Sequence, residues 1–155
     1  ALPGVPAFYL PALLAAPNDL ARFRRTGHRR DLNRPQFKAQ ALERRLADPD
    51  ADASAMLPVL RKALAERAVH PALHPDAPMT VLSADRSDRV ILQRSRDGET
   101  LVAVHNMTAS RLSLRLGDLG GDLNQPWSDC LSGRVFAPHQ LLSLEPYVVH
   151  WLVQP

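Results

Sequence analysis

Val90-Ile91-Leu92-Gln93-Arg94-Ser95-Arg96-Asp97-Gly98-Glu99-Thr100-Leu101-Val102-Ala103-Val104 reads as two strands joined by a tight turn. Val90-Ile91-Leu92-Gln93 and Leu101-Val102-Ala103-Val104 are apolar and β-branched, and Asp97-Gly98 between them supplies the positive φ that a two-residue hairpin requires. The same pattern continues toward the C-terminus. Arg111-Leu112-Ser113-Leu114-Arg115-Leu116 alternates strictly, which gives a strand with one buried and one wet face, until the glycines of residues 117–121 break it. Further strands are expected over residues 128–131, 140–144 and 148–153. Six or seven short strands in about 80 residues predict a small antiparallel sandwich of hairpins and Greek-key connections.

Toward the N-terminus the period changes from 2 to 3.6. Asn33 can cap a helix in which Pro35, lacking an amide hydrogen, occupies the first turn, and Phe37, Ala41, Leu42 and Leu46 then share one face. Asp48-Pro49-Asp50 ends that helix. A second helix is expected from about Ser54, with Leu57, Leu60 and Leu64 inward, until His70-Pro71 stops it. Val5-Pro6-Ala7-Phe8-Tyr9-Leu10 reads as a buried strand whose partners lie outside the sequence, with its proline at a strand start or edge. A strand, a polar loop, helices and then a β-sandwich is the order expected of the last β/α unit of a TIM barrel followed by a C-terminal β-domain. The fold class expected is therefore an α+β fragment: residues 1–74 as the end of a (β/α)8 barrel, mostly loop and helix, and residues 75–155 as an all-β antiparallel sandwich.

Composition narrows the class further. Apolar residues make up 45% and charged residues 23% of the 155, the balance of a globular chain, and no apolar run is long enough to span a membrane. The lone Cys130 has no internal partner, so a reduced, cytoplasmic setting is expected. Phe8-Tyr9-Leu10-Pro11-Ala12-Leu13-Leu14-Ala15-Ala16 imitates the apolar region of a secretory signal, but no Lys or Arg precedes it and prolines interrupt it. The isoelectric point of about 9.6 accompanies a formal charge of only +3. The one dense basic group, residues 22–34, is short of stacking aromatics, so nucleic acid is not expected as a partner. The chain opens without Met in an apolar segment and is read as a C-terminal piece of an enzyme.

Three stretches carry a family resemblance. Gly4-Val5-Pro6-Ala7-Phe8-Tyr9 resembles the eighth barrel strand of the α-amylase superfamily, where a Gly-x-Pro-x-x-Tyr pattern is common. Asn18-Asp19 and the run Thr26-Gly27-His28-Arg29-Arg30-Asp31-Leu32-Asn33-Arg34 are similar to the sucrose phosphorylase-like branch. Leu144-Glu145-Pro146-Tyr147-Val148-Val149-His150-Trp151-Leu152 resembles the last strand of that family's β-domain, so the resemblance spans the chain. His28 stands where Arg is common and Leu32 where Ile is common, which leaves the acceptor open. Amylosucrase-like enzymes share the Asn-Asp pair and a similar ending but lack the Thr-Gly run, and they are the alternative parent, along with an α-glucosidase hydrolase.

The resemblance implies a retaining α-glucosyl-transferring enzyme that converts a glucoside and phosphate to glucose 1-phosphate. Such chemistry needs two carboxyl groups ~5 Å apart. The family carries them on the fourth and fifth barrel strands, with a stabilising Asp after the seventh. All three positions precede Ala1, so no catalytic residue is assigned within this chain, and the isolated chain is expected to be inactive. Arg30, Asp19 and Asn18 are the substrate-binding candidates implied. A guanidinium matches phosphate oxygens, yet Arg30 read by itself would as readily pair with Asp31 or Asp19, and an Asn-Asp pair would as readily cap a helix.

Other constellations are weaker. His70 and His74 lack the carboxylate or thiolate partners of a metal site, and no cofactor is expected. Ser143, His139 and Asp129 lack the nucleophile elbow of a hydrolytic triad. Trp151 is expected in the core, whereas Trp127 could be core or a sugar platform. The expected partners are a sugar and phosphate in the intact parent, and the rest of the barrel or a second copy through the apolar segment 5–10. The rival reading is a non-enzymatic β-sandwich that binds carbohydrate or mediates assembly.

Overall fold

In the computed structural model, which describes residues 1–154, the chain divides into two compact units, residues 6–64 and residues 1–5 with 65–155. The first unit is helical: α1 (Leu10–Leu13), α2 (Leu20–Thr26), α3 (Arg29–Leu32), α4 (Ala39–Ala47) and most of α5 (Asp52–Val69). The boundary between the two compact units falls inside α5, at residues 64/65.

Two expectations for this unit need correction. The strand over residues 5–10 does not form: Pro11 opens the helical turn α1, and residues 5–9 adopt no secondary structure. Pro3, Pro6 and Pro11 remove three amide donors, and backbone without a neighbouring ladder has no strand to join. The helix expected to start at Asn33 starts later. Lys38 flanks α4 in an extended conformation, while Asn33 lies at the end of α3 and Phe37 outside any helix. Pro35 rules out Asn33 as the cap, because it biases Arg34 away from helical backbone. Downstream, α4 ends at Asp48 as expected, and α5 runs to the residue before His70-Pro71.

The second unit holds eight strands: β1 (Met79–Val81), β2 (Arg89–Arg96), β3 (Glu99–Asn106), β4 (Leu112–Arg115), β5 (Trp127–Asp129), β6 (Val135–Phe136), β7 (Leu141–Leu144) and β8 (Val149–Val153). The β2/β3 hairpin forms as its sequence dictates, with Asp97 and Gly98 at φ 52° and 84° closing the Arg96–Glu99 pair. Six strands make one antiparallel sheet in the order β1-β2-β3-β8-β5-β6, and β4 pairs with β7 in a second. Every ladder among the described residues is antiparallel. The short edge strands β1 and β6 carry too few residues for their alternation to register in sequence.

The core lies between the two sheets. Ile91, Val102, Val104 and Leu152 from the large sheet meet Leu114, Leu142 and Leu144 from the small one, with Trp127, Phe136, Leu116 and Leu119 filling the ends. Each such side chain stabilises the fold by about 1.5–3 kcal/mol on burial. The opposite face of the large sheet is covered too: the 3-10 turn Pro71–Leu73 packs on β2 and β3, and Leu101 and Ala103 there are fully buried. A sheet covered on both faces reads as continuous apolar runs, which is why residues 101–104 show no alternation.

Tyr147 is strained. It sits at φ 56° and is 66% exposed, in a turn closed by the Val148 amide on the Glu145 carbonyl at 3.2 Å. Left-handed backbone costs a side-chain-bearing residue about 1–2 kcal/mol, and glycine's freer unfolded chain takes back about 0.5–1 kcal/mol. Tyr147→Gly is therefore expected to stabilise the protein by about 0.5 kcal/mol, and an unchanged or lower melting temperature would contradict this.

Candidate functional site

Residues 18–34 carry the candidate site, which lies wholly within the helical unit. Asp19 caps α2: its Oδ1 accepts the Arg22 amide at 2.8 Å, and its own amide donates to the Leu32 carbonyl at 2.7 Å. The second of these bonds closes residues 19–32 into a loop. Gly27 ends α2 at φ 70°, a left-handed cap that returns its amide to the Phe23 carbonyl at 2.8 Å. The Thr26 hydroxyl donates to the Arg22 carbonyl at 3.1 Å and accepts the His28 amide at 3.3 Å. Thr26-Gly27 is thus a folded corner that turns the chain from α2 into α3.

Arg22 ties the loop together from inside. Its guanidinium meets Asp31 Oδ1 at 3.1 Å and donates to the Arg34 carbonyl at 3.2 Å, and Asp31 is buried. Both aspartates of the loop are therefore engaged by Arg22, one at its backbone and one at its side chain. Arg30 is exposed and makes no ion pair or side-chain hydrogen bond among the described residues, and the same is true of the Arg24, Arg25, Arg29 and Arg34 side chains. Asn18 is exposed, and its side chain is likewise unbonded. With six arginines against two aspartates, residues 18–34 carry a net charge of +4. A surface with five unpaired guanidiniums, each a planar fork of donors, is chemically suited to phosphate and carboxylate oxygens.

The remaining candidates are structural in their contacts. Trp127 and Trp151 are 2% and 6% exposed, so neither presents a ring face to solvent. Ser143 stands on β7 opposite Ser113, and Asp129 binds His150, so Ser143, His139 and Asp129 form no triad. His70 lies between Glu99 and Glu66, with Nδ1 at 2.7 Å and Nε2 at 3.5 Å. Among the described residues no three His, Cys, Asp or Glu side chains are arranged to hold a metal ion. Burial, with Glu66 and Asp129 nearby, pushes the Cys130 thiol up to about 11, which keeps it protonated and unreactive at neutral pH.

One polar centre is not evident from the sequence motifs. Asp129 is buried on β5 and accepts from His150 Nδ1 at 2.9 Å, the Ser132 hydroxyl at 2.5 Å, and the Trp151 and Leu131 amides at 2.9 and 3.2 Å. Burial opposes ionisation at this site, but the hydrogen bonds from His150, Ser132 and Trp151 hold the carboxyl below the ordinary aspartate range. The signal that could have found it is the period-2 placement of His150 on the face shared by Val148 and Leu152, because a histidine on a buried face needs a partner.

No protein-family model matches the chain. Over 90 residues, 58% of its length, it is 39% identical to a glucosylglycerate phosphorylase of Allomeiothermus silvanus, and that match covers 16% of the relative. Over 150 residues it is 26% identical to the glucosylglycerate phosphorylase of Escherichia coli, which covers 97% of this chain and 26% of that one. The chain thus spans about a quarter or less of the curated relatives it matches. Among solved structures, the α-amylase of Geobacillus thermoleovorans complexed with acarbose superposes with a TM-score of 0.61 at 18% identity, covering 83% of this chain and 26% of that one. AmyP in complex with maltose gives 0.58 at 21% identity, covering 67% and 22%. MutB in complex with sucrose gives 0.53 at 22% identity, covering 73% and 19%. These likenesses show the fold, an antiparallel β-domain of the kind found in α-amylase-type enzymes. The chain is thus similar in sequence to glucosylglycerate phosphorylases and in fold to α-amylase-type enzymes.

Proposed function

We propose that this chain is the C-terminal portion of a retaining α-glucosyl phosphorylase, with residues 6–64 closing the catalytic barrel and residues 65–155 forming its β-domain. In this reading the nucleophile and the acid/base carboxyls lie on barrel strands outside residues 1–155. The apolar, exposed residues Phe8, Tyr9 and Leu10 are then the surface that meets the remainder of the barrel. Phosphate attacks the anomeric carbon of the glucosyl-enzyme, a C–O bond to phosphate forms as the bond to the nucleophile carboxylate breaks, and glucose 1-phosphate leaves with retained configuration.

The observation that carries this reading is the unpaired state of Arg30 in a loop whose two aspartates are already engaged. Charge complementarity favours an anionic acceptor there, and the similarity to glucosylglycerate phosphorylases favours a donor whose leaving group is also an anion. Asp19 orients the loop through its cap and Asn18 offers an amide to a sugar hydroxyl.

The test uses the full-length protein supplied with glucosylglycerate, or with sucrose, plus phosphate. Phosphate-dependent release of glucose 1-phosphate is expected, and Arg30→Ala should lower kcat/KM for phosphate by about 10–100-fold while leaving transfer of glucose to water largely intact. Hydrolysis without any glucose 1-phosphate would overturn the phosphorylase reading and favour an amylosucrase-like or α-glucosidase parent. The 155-residue chain by itself should release none.

A further inference from the structure

The β-domain has a cleft of its own, far in chemistry from the arginine loop. At one open end of the sandwich a space of about 250 Å³ is lined by Gln93, Thr100 and Gln154, with the buried Val102, Leu119 and Trp127 behind them. Gly121 forms part of the rim at φ 87°, and a Cβ there would run into Gln154 Oε1 and stand 3.2 Å from Trp127 Cζ2. Glycine therefore keeps this rim open.

The polar groups on the walls are held in place yet incompletely used. The Gln154 side chain is fixed at both ends: Nε2 donates to the Asp122 and Gln125 carbonyls at 2.7 and 2.9 Å, and Oε1 accepts the Asp122 amide at 2.8 Å. That leaves one lone pair on Oε1. Thr100 Oγ1 shares one hydrogen bond with Ser95 Oγ at 2.9 Å and retains capacity for another. The Gln93 amide has no hydrogen-bond partner among the described residues, which leaves two donors and an acceptor oxygen pointing into a partly enclosed space.

Among the described residues, none that lines the cleft is charged. A ligand bearing a formal charge would lose its hydration without gaining a counter-charge, so the occupant must be neutral. It must also carry several hydroxyls, to meet amide and hydroxyl partners of mixed donor and acceptor character. The volume admits one six-membered sugar ring. We infer that this cleft binds a single neutral hexopyranose unit, free or at the end of a glucan, independently of the anion-suited loop at residues 18–34.

The probe is methyl α-D-glucopyranoside titrated into the ¹⁵N-labelled chain. A ligand of this size is expected to bind with a dissociation constant of roughly 1–10 mM. Saturable shifts should appear at the side-chain amides of Gln93 and Gln154 and at the backbone of Thr100 and Gly121. Gln93→Ala should weaken binding by about tenfold or more with no change in melting temperature, and Thr100→Val should weaken it less. Glucose 6-phosphate should not bind in the cleft better than the neutral sugar. Absence of saturation up to about 100 mM, shifts confined to residues 18–34, or unchanged affinity in both variants would each overturn the inference.

Discussion

Arg94→Met is expected to destabilise the protein by about 1–3 kcal/mol, read as a fall in the urea midpoint at unchanged slope. Arg94 lies on β2 opposite Leu101, on the sheet face turned away from the sandwich core, and is fully buried. Its guanidinium donates to the His74 and Ala77 carbonyls at 2.5 and 2.8 Å and, more weakly, to the Leu2 and Ala1 carbonyls at 3.3 and 3.4 Å. Four carbonyls from two irregular segments thus converge on one side chain. Burial, and secondly the charge of Arg67, lower its pKa, yet no carboxylate pairs with it. The cost of burying that charge is offset by the carbonyl dipoles alone.

Methionine would fill much of the volume but leave the carbonyl of the buried Ala77 without its donor, at about 1–3 kcal/mol, whereas the Leu2 carbonyl keeps the Arg67 guanidinium at 3.1 Å and the exposed His74 backbone can turn to water. Arg94→Lys separates charge from geometry. One ammonium cannot span four acceptors, so roughly half of the loss is expected. A change below about 1 kcal/mol in Arg94→Met would show that water replaces the guanidinium without penalty and that the four carbonyls do not depend on it.

Asp129→Ala is expected to cost more, about 3–5 kcal/mol, because it strands the His150 ring, the Ser132 hydroxyl and two amides in a region where Asp129 is 1% exposed. The effect also has a pH signature. The folded-state pKa of Asp129 is held below its unfolded value of about 3.9. Its contribution is therefore complete above the unfolded value and is lost as pH falls through the folded one. The stability gap between the natural protein and Asp129→Ala should stay constant from pH 8 to about 5 and narrow below about pH 4. A gap that widened on acidification would refute the assignment.

The Arg94 centre is not legible in the sequence and the Asp129 centre shows there only as His150 on a buried face, whereas the β2/β3 hairpin is legible, because every determinant of the hairpin is local: alternating or β-branched residues on either side, and Asp97-Gly98 at the one place where φ must be positive. The end of α4 and the extent of α5 are legible for the same reason. The start of α4 is not, because Asn33 has the chemistry of a cap and Pro35 that of a first turn, but the proline's effect on Arg34 outweighs both. Residues 5–10 have the composition of a strand, and composition does not provide a neighbour to pair with. In the candidate site, the arginine-rich run is visible at once. That Arg22, rather than Arg30, takes Asp31 depends on the α2–α3 corner at Gly27.

By itself, then, the sequence determined the antiparallel character of the second half, the helical character of the first and the location of the basic loop, all consequences of periodicity, turn chemistry and charge within a few residues. Only the tertiary structure decided that β8 would lie between β3 and β5, that Asp129 would meet His150 across 21 positions, and that Arg94 would gather carbonyls from residues 1–2 and 74–77. Those outcomes depend on which distant segments share a buried face. Burial there raises the cost of every unmet hydrogen bond, so the partners are selected by the packed fold rather than by their neighbours in the chain.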